Sequence, residues 1–198
     1  MSKGIHTRER IIERSADLFN SRGYDGCSMH DIMKATGLKK GGIYNHFKNK
    51  DEIALEAFDY NLHKMISRFR IRLDKDKTAK EKLLSVIEVM GSLANDDILF
   101  GGCPIFNTAI KSAPTHPGLR ARAKSAMNML VTYVEIKIKE GINNKEFNPD
   151  LNPNKLANMV IMTLEGAVVM SRIYDNSQPA NTAISYIKDY LNDKVYRH

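Results

Sequence analysis

The sequence predicts an all-α fold of about nine helices, and three observations predict it. Apolar residues recur at spacings of three and four along most of the 198 residues. No stretch shows the two-residue alternation of a strand, and there are no internal repeats or low-complexity tracts. All six prolines lie at position 104 or later, which leaves the first hundred residues free of the strongest helix breaker. A chain of this length supports a sizeable core in one or two domains. A boundary near residue 50 is expected, with 1–50 as a small N-terminal domain and 51–198 as a larger helical one.

Residues 1–6 read as a short flexible arm. Thr7 opens the first helix, Ile11, Ser15, Leu18 and Phe19 keep its spacing, and Arg22-Gly23 ends it. The next stretch, Ser28 to Lys50, reads as two short helices joined by a tight turn. Ser28 caps the first, with Asp31 three residues on where a capping-box acid belongs. Met29, Ile32 and Met33 form its apolar face, and Gly37 suits a left-handed terminus. Leu38 plugs the turn. The second short helix is expected from about Lys40 to Phe47, with Ile43 and Phe47 facing inward. Its other face carries Lys39, Lys40, Gly42, Tyr44, Asn45 and His46, a cationic, hydrogen-bonding surface low in bulk at the glycines. Such a face fits a major groove.

Asn49 caps a long helix with the stripe Phe58, Leu62, Met65, Phe69 and Leu73. The charged run Asp74–Lys77 reads as a turn. A helix resumes near Thr78 with Leu83, Ile87, Met90 and Ala94, and Asn95 to Gly102 breaks it. Pro104 opens a short helix through Ala113. Gly118 to Glu140 is a second long helix, striped by Leu119, Ala123, Met127, Leu130, Val134 and Ile138. Gly141 is expected to close it, before a loop from Asn143 to Pro153. Lys155 to Tyr174 is apolar nearly all round: Leu156, Val160, Leu164, Ala167 and Ser171 on one side, Met159, Met162, Gly166, Val169 and Ile173 on the other. The final helix, about Pro179 to Lys194, carries Ile184, Ile187, Leu191 and Val195, with Tyr186 and Tyr190 one turn apart. A helix apolar on both sides needs cover on both. The last two helices either complete a monomer's core or pack against their own copies as a four-helix bundle, and the all-round pattern favours a homodimer.

Charge is uneven. Residues 1–50 hold ten Lys and Arg against five Asp and Glu, out of a net +7 for the chain. A basic head on a nearly neutral remainder fits either a polyanion contact or a solvated helical face. Two cysteines, Cys27 and Cys103, make no disulfide framework and fit a reducing cytoplasm. The N-terminus lacks the apolar core of a signal peptide, and no uninterrupted apolar run spans a bilayer, so a soluble, cytoplasmic protein with no membrane partner is expected.

The run GYDGCSMHDIMKATGLKKGGIYNHFKNKDEI resembles the signature of TetR-family transcriptional repressors: an aromatic after glycine, a capped helix, A-x-x-G, then a K-G-x-[IL]-Y-x-[HY]-F recognition helix closed by a lysine and an acid. Residues Thr7 to Phe58 follow it closely. Lys40 departs from it, standing where a smaller residue is frequent, and Met33-Lys34 replaces an alanine with a polar residue. The resemblance implies a helix-turn-helix DNA-binding domain, a C-terminal ligand-binding and dimerisation domain, and a double-stranded DNA operator as partner. Carried over residue by residue, it places Lys39, Lys40 and Gly42 near base edges. It places Tyr44, His46 and Lys50 on the backbone, and Asn45 as a further base contact. Ser28, at a helix N-terminus, suits a phosphate.

The resemblance also implies a small-molecule inducer. Ten methionines are many for this length, and methionine adapts to irregular apolar ligands, although each alone also reads as core filling. The pocket is expected among Leu62, Met65, Phe69, Met90, Cys103, Phe106, Asn107, Ile110, Met127, Val131, Met162 and Glu165. The segment GGCPIFNTAIKSAPTHPGLRARAK resembles a subgroup of the family with a cysteine before this short helix. That leaves reactive-electrophile or redox sensing at Cys103 open beside an inert buried thiol. An enzyme is disfavoured. Cys103 and His116 lack a third orienting group, the six histidines show no metal-ligand spacing, and Gly101-Gly102 does not continue into a phosphate loop. No cofactor is expected. A helical protein binding nucleic acid without sequence preference is the other rival.

Overall fold

The structure is a computed structural model that describes residues 3–73, 75, 78–95, 99 and 101–196. Nine α-helices lie among those residues: α1 (Lys3–Arg22), α2 (Met29–Thr36), α3 (Lys40–Tyr44), α4 (Lys50–Leu73), α5 (Ala79–Ser92), α6 (Pro104–Lys111), α7 (Pro117–Asn143), α8 (Pro153–Ile173) and α9 (Gln178–Tyr190). A 3₁₀ turn, Leu93–Asn95, follows α5, and a π-helical turn, Leu191–Val195, continues α9. The chain divides into two compact units, Met1–Met65 with Ile98–Ala126, and Ile66–Asp97 with Met127–His198. Helices α4 and α7 contribute residues to each.

In the first unit α1 packs on α2 and α6, and α2 on α3. The expected stripes are its core: Ile11, Ala16, Phe19, Ile32, Ile43, Phe47 and Phe58 are all buried. Arg8 binds the Glu56 carboxylate through two hydrogen bonds, at 2.6 and 2.5 Å, and lies 4.7 Å from the centre of the Phe47 ring. That ties the start of α1 to α4 over the edge of the core.

In the second unit α8 packs against both α5 and α9. Leu83, Ile87 and Met90 of α5 are buried, as are Leu156, Val160, Leu164 and Ala167 of α8 and Ile187 and Leu191 near the chain's end. Thr78 caps α5 with Glu81 in a full capping box. Glu146 adds a carboxylate to the same terminus, accepting from the Ala79 and Lys80 N–H groups at 3.2 and 3.0 Å, where the helix dipole favours an anion. By length and mean hydropathy, 1.4, α8 resembles a membrane span, yet half of that window is buried in the protein. It is a core helix with one covered face.

Several boundaries differ from expectation. Helix α1 begins at Lys3 rather than Thr7, since nothing in Gly4–His6 interrupts it. Helix α3 ends at Tyr44 rather than Phe47, because the His46 N–H turns back to Ile43 O at 2.9 Å and tightens the last turn. Helix α6 ends at Lys111, before Ala113, because Pro114 biases the residue ahead of it away from helical geometry. Pro117 opens α7 one residue early, and α7 then runs through Gly141 to Asn143. The position is glycine for packing and not as a helix end: a Cβ there would meet the Phe147 ring at 2.3 Å. The reversal falls instead at Lys145, with φ 62°. Pro153 is the first residue of α8, capped by Asn152, which accepts from the Lys155 N–H at 3.0 Å. The last helix stops at Tyr190, and its π-turn leads to an isolated antiparallel bridge between Phe147 and Tyr196. The expected turn at Asp74–Lys77 and most of the break at Asn95–Gly102 lie outside the described residues.

Glu88 of α5 accepts from Lys188 of α9 at 2.8 Å and pairs with Arg72. These contacts, the Lys188 bond foremost, hold its carboxyl below the ordinary 4.5. A group so depressed stabilises the fold fully above its unfolded pKa, and that contribution is lost as pH falls through the folded one. Replacing Glu88 with Gln should therefore flatten the fall in melting temperature as pH drops below about 4.5, read by thermal melts across an acid series.

Candidate nucleic-acid interface

The site is built on α2 and α3 and the turn between them. The Ser28 hydroxyl accepts from the Asp31 N–H at 3.2 Å, and the Asp31 carboxylate accepts from the Ser28 N–H at 2.8 Å and its hydroxyl at 2.5 Å. This is the capping box expected from sequence. Those bonds, with Arg22 alongside at 3.2 Å, hold the Asp31 carboxyl below the usual carboxylate range. Gly37 ends α2 with φ 68°, its N–H donating to Met33 O at 2.9 Å. Thr36 donates to Ile32 O at 2.8 Å and closes the same end.

Helix α3 has five residues and no side-chain cap. Its grip on the head is Ile43, fully buried, with Phe47 at 2 % exposure just beyond it. Burial of such side chains stabilises by about 1.5–3 kcal/mol each. Lys39, Lys40, Tyr44 and Asn45 are exposed and Gly42 and His46 half-buried, so the predicted outer face is one continuous surface. The Lys40 ammonium lies 5.7 Å from the centre of the Tyr44 ring. Gly41, which sequence reading passed over, sits on the same surface, and a Cβ there would meet nothing within 4 Å. At Gly42 a Cβ would make ordinary contact with Leu38 at 3.7 Å. Neither glycine has positive φ. Nothing within the protein requires glycine at 41 or 42, and two glycines weaken a helix by roughly 1 kcal/mol each relative to alanine. The GlyGly pair itself was the available signal.

Lys50 is placed differently from the α3 lysines. Its ammonium donates to Tyr24 O and Cys27 O, both at 2.9 Å, and lies 3.8 Å from the centre of the Tyr24 ring. Tyr24 is a second residue that sequence reading did not single out. Its hydroxyl donates to Asp51 and its ring meets His116 edge-on at 4.6 Å. Burial, then the Asp51 bond, pushes the phenol up to about 12. Burial likewise pushes the Cys27 thiol up to about 11, so it stays a neutral core group.

The residues expected to hold an inducer are spread over both units. In the first, Met65 and Cys103 are buried, Leu62, Phe106 and Asn107 half-buried, and Ile110 is 58 % exposed. The Asn107 amide already donates to Gly101 O at 2.6 Å, tying down the segment before α6. Cys103, at 3 % exposure, lacks the access that a soluble electrophile needs. His116 is occupied as a cap, its Nδ1 accepting from the Leu119 N–H at 3.1 Å. In the second unit Phe69, Met90 and Glu165 are buried, Met127 and Val131 half-buried, and Met162 is 66 % exposed. A cavity in the first unit, lined by Asn20, Asn61, Thr108 and Ser112 among apolar residues, measures ≈ 10 Å³. That is room for one water, not an inducer. Among the described residues no three His, Cys, Asp or Glu are grouped to hold a metal.

Comparison with known proteins gives two family matches: residues 11–57 to the bacterial regulatory proteins of the tetR family, and residues 79–187 to the tetracyclin repressor-like C-terminal domain. A TetR transcriptional regulator from Chloroflexus aurantiacus superposes with a TM-score of 0.95 at 39 % identity over the whole of both chains. A TetR-family regulator from Cytophaga hutchinsonii does so at 0.89 and 35 %, covering 100 % of this chain and 99 % of the other. The HTH-type transcriptional repressor DhaR of a Mycobacterium species is 24 % identical, covering 93 % of this chain and 91 % of its own.

The capping box yields a direct test of the local argument. Ser28→Ala should lower stability by about 1 kcal/mol, the usual worth of an N-cap, measured by urea unfolding.

Proposed function

The chain belongs to the TetR family of bacterial transcriptional regulators, and on that premise we propose that it is a repressor that holds a palindromic operator as a homodimer and leaves it when a small molecule binds. It is a DNA-binding regulator and not an enzyme. The observation that carries the reading is the outer surface of α3: two exposed lysines, an exposed tyrosine and asparagine, and two glycines whose bareness serves nothing inside the protein.

Read onto a duplex, α3 lies in the major groove. Lys39 and Lys40 donate to guanine N7 and O6, with Asn45 beside them, and Gly41 and Gly42 let the backbone come close. Tyr44 and His46 hold phosphates. The N-terminus of α2 presents Ser28 to another, the helix dipole adding to the attraction. Phosphate contacts fix register, and the lysines and Asn45 read sequence.

Dimerisation through α8 and α9 is supported by what the chain leaves uncovered. Met162, Met170 and Ile173 on α8 are 66 %, 48 % and 71 % exposed, and Tyr186 on α9 is 66 % exposed. Gly166 sits among them with space for a neighbouring helix. A two-fold pair of such faces would close a four-helix bundle and present two recognition helices to two half-sites. The inducer site is assigned to the C-terminal domain, 51–198, with Phe69, Met90, Met127, Val131 and Glu165 as its lining. Release would follow displacement of α4, one continuous helix that begins beside the recognition helix. The protein would act in the cytoplasm.

Two experiments test this. An operator is first selected from random duplexes. Lys39→Ala with Tyr44→Ala should then lose at least about 100-fold in gel-shift affinity, one base contact and one phosphate contact in each half of the dimer, with its circular dichroism unchanged. Wild-type affinity in that variant would overturn the assignment of α3. Ile173→Asp should sediment as a monomer and bind the palindrome weakly; a persisting dimer would place the interface elsewhere.

A further inference from the structure

Helix α8 is bare on one side, and the residues there follow nearly the same order read in either direction. Gly166 sits at the middle, exposed, and a Cβ there would meet nothing within 4 Å. Its φ is not positive. A glycine inside a helix costs roughly 1 kcal/mol against alanine, and nothing within the protomer requires this one. One turn to either side stand Met162 and Met170, 66 % and 48 % exposed. Between them and the glycine stand Thr163 and Val169, both β-branched and half-buried. The Thr163 hydroxyl, the polar difference within that pair, donates to Met159 O at 2.8 Å in its own helix. Met159 and Ile173 complete the series, two turns out on either side. The two charged residues of this stretch are committed to the protomer instead: Glu165 is buried, and Arg172 donates to Leu93 O at 3.2 Å.

The order of these residues indicates what covers them. Across a two-fold axis, residue i of one chain meets j of the other and j meets i. With the axis at Gly166 and perpendicular to α8, methionine meets methionine one turn out on both sides. The threonine meets the valine of like shape, and Met159 meets Ile173. Glycine meets glycine at the crossing, the point where two helices most need room. Packed helix axes ordinarily lie roughly 8–10 Å apart, set by the side chains at the contact, and bare glycines permit the near end of that range. A foreign helix makes no such demand on the order of residues in α8; a second copy does.

We propose that α8 crosses the α8 of a second copy at Gly166, antiparallel about a two-fold axis through that residue, with Met162 of each chain against the partner's Met170. This rests on the homodimer reading above and adds where the two helices meet and in which direction. Cysteine replacement tests it, because a disulfide needs Cα atoms within roughly 7 Å of each other. Cys27 and Cys103 are both buried, so the natural chain should stay uncross-linked under mild oxidation by glutathione disulfide. Gly166→Cys should turn most of its chains into a covalent dimer on a non-reducing gel. Met162→Cys alone should cross-link poorly, its own copy lying about 12 Å away along the helix, whereas Met162→Cys with Met170→Cys should cross-link readily. Full cross-linking of Met162→Cys alone would mean a parallel pairing and overturn the proposal. No cross-linking in a Gly166→Cys protein that still sediments as a dimer would overturn the crossing and leave the homodimer reading standing. A natural chain that sediments as a monomer would sink both. Gly166→Leu reads the same contact without oxidation, and decides the matter if the cysteine variant does not dimerise. Its side chain has space within the protomer, so its circular dichroism should be unchanged. Its dimer dissociation constant should rise by about tenfold or more, the cost of overpacking a close crossing. An unchanged constant would overturn the proposal.

Discussion

A helix of five residues has no stability of its own. Nucleation fixes several dihedral angles for very few hydrogen bonds, and α3 adds two glycines and no side-chain cap to that handicap. It exists because Ile43 and Phe47 are driven into the core formed by α1, α2 and α4. Everything else in the first unit answers to this anchoring. The capping box fixes the start of α2, Gly37 sets the reversal, and Arg8 closes the rim over Phe47. The outer face is presented to solvent because the inner one is held.

The same logic explains the contrast between the lysines of this region. Lys39 and Lys40 lie on the exposed side of α3. Lys50 sits where two backbone carbonyls and an aromatic face converge. Identical side chains a few residues apart thus have different surroundings, set by which backbone groups each can reach. A charge count gives them equal weight; the local geometry does not.

Much of this was legible beforehand, for identifiable reasons. Capping residues act within three or four positions, so Ser28 and Thr78 show the starts of their helices; Asn152 does not, because Pro153 beside it reads as loop and the helix is expected only from Lys155. Stripes at helical spacing named many of the buried residues, such as Ile32, Leu83 and Val160, and missed others, such as Ile53, Ile105 and Ile161, that broaden the same faces. What local pattern did not reveal depends on partners distant in sequence. Gly141 reads as a helix end until Phe147 is seen against it, and Tyr24 does not stand out until Ser112, Asp51 and His116 surround it. Met162 and Ile110 show why composition is a poor guide to a ligand site: both are apolar at helical spacing, and both face outward. The apolar face of α8 was visible, but sequence alone left open whether the rest of the chain would cover it.

The glycine pair of α3 has a consequence for anyone who engineers this molecule. Judged on the isolated fold, alanine at position 41 is an improvement, since it raises helix propensity and collides with nothing. On the proposed docking of α3, the same methyl group stands between two surfaces that must touch. Under that proposal, a screen that ranks variants on heat resistance alone would drift toward a sturdier head that has lost its grip on the genome.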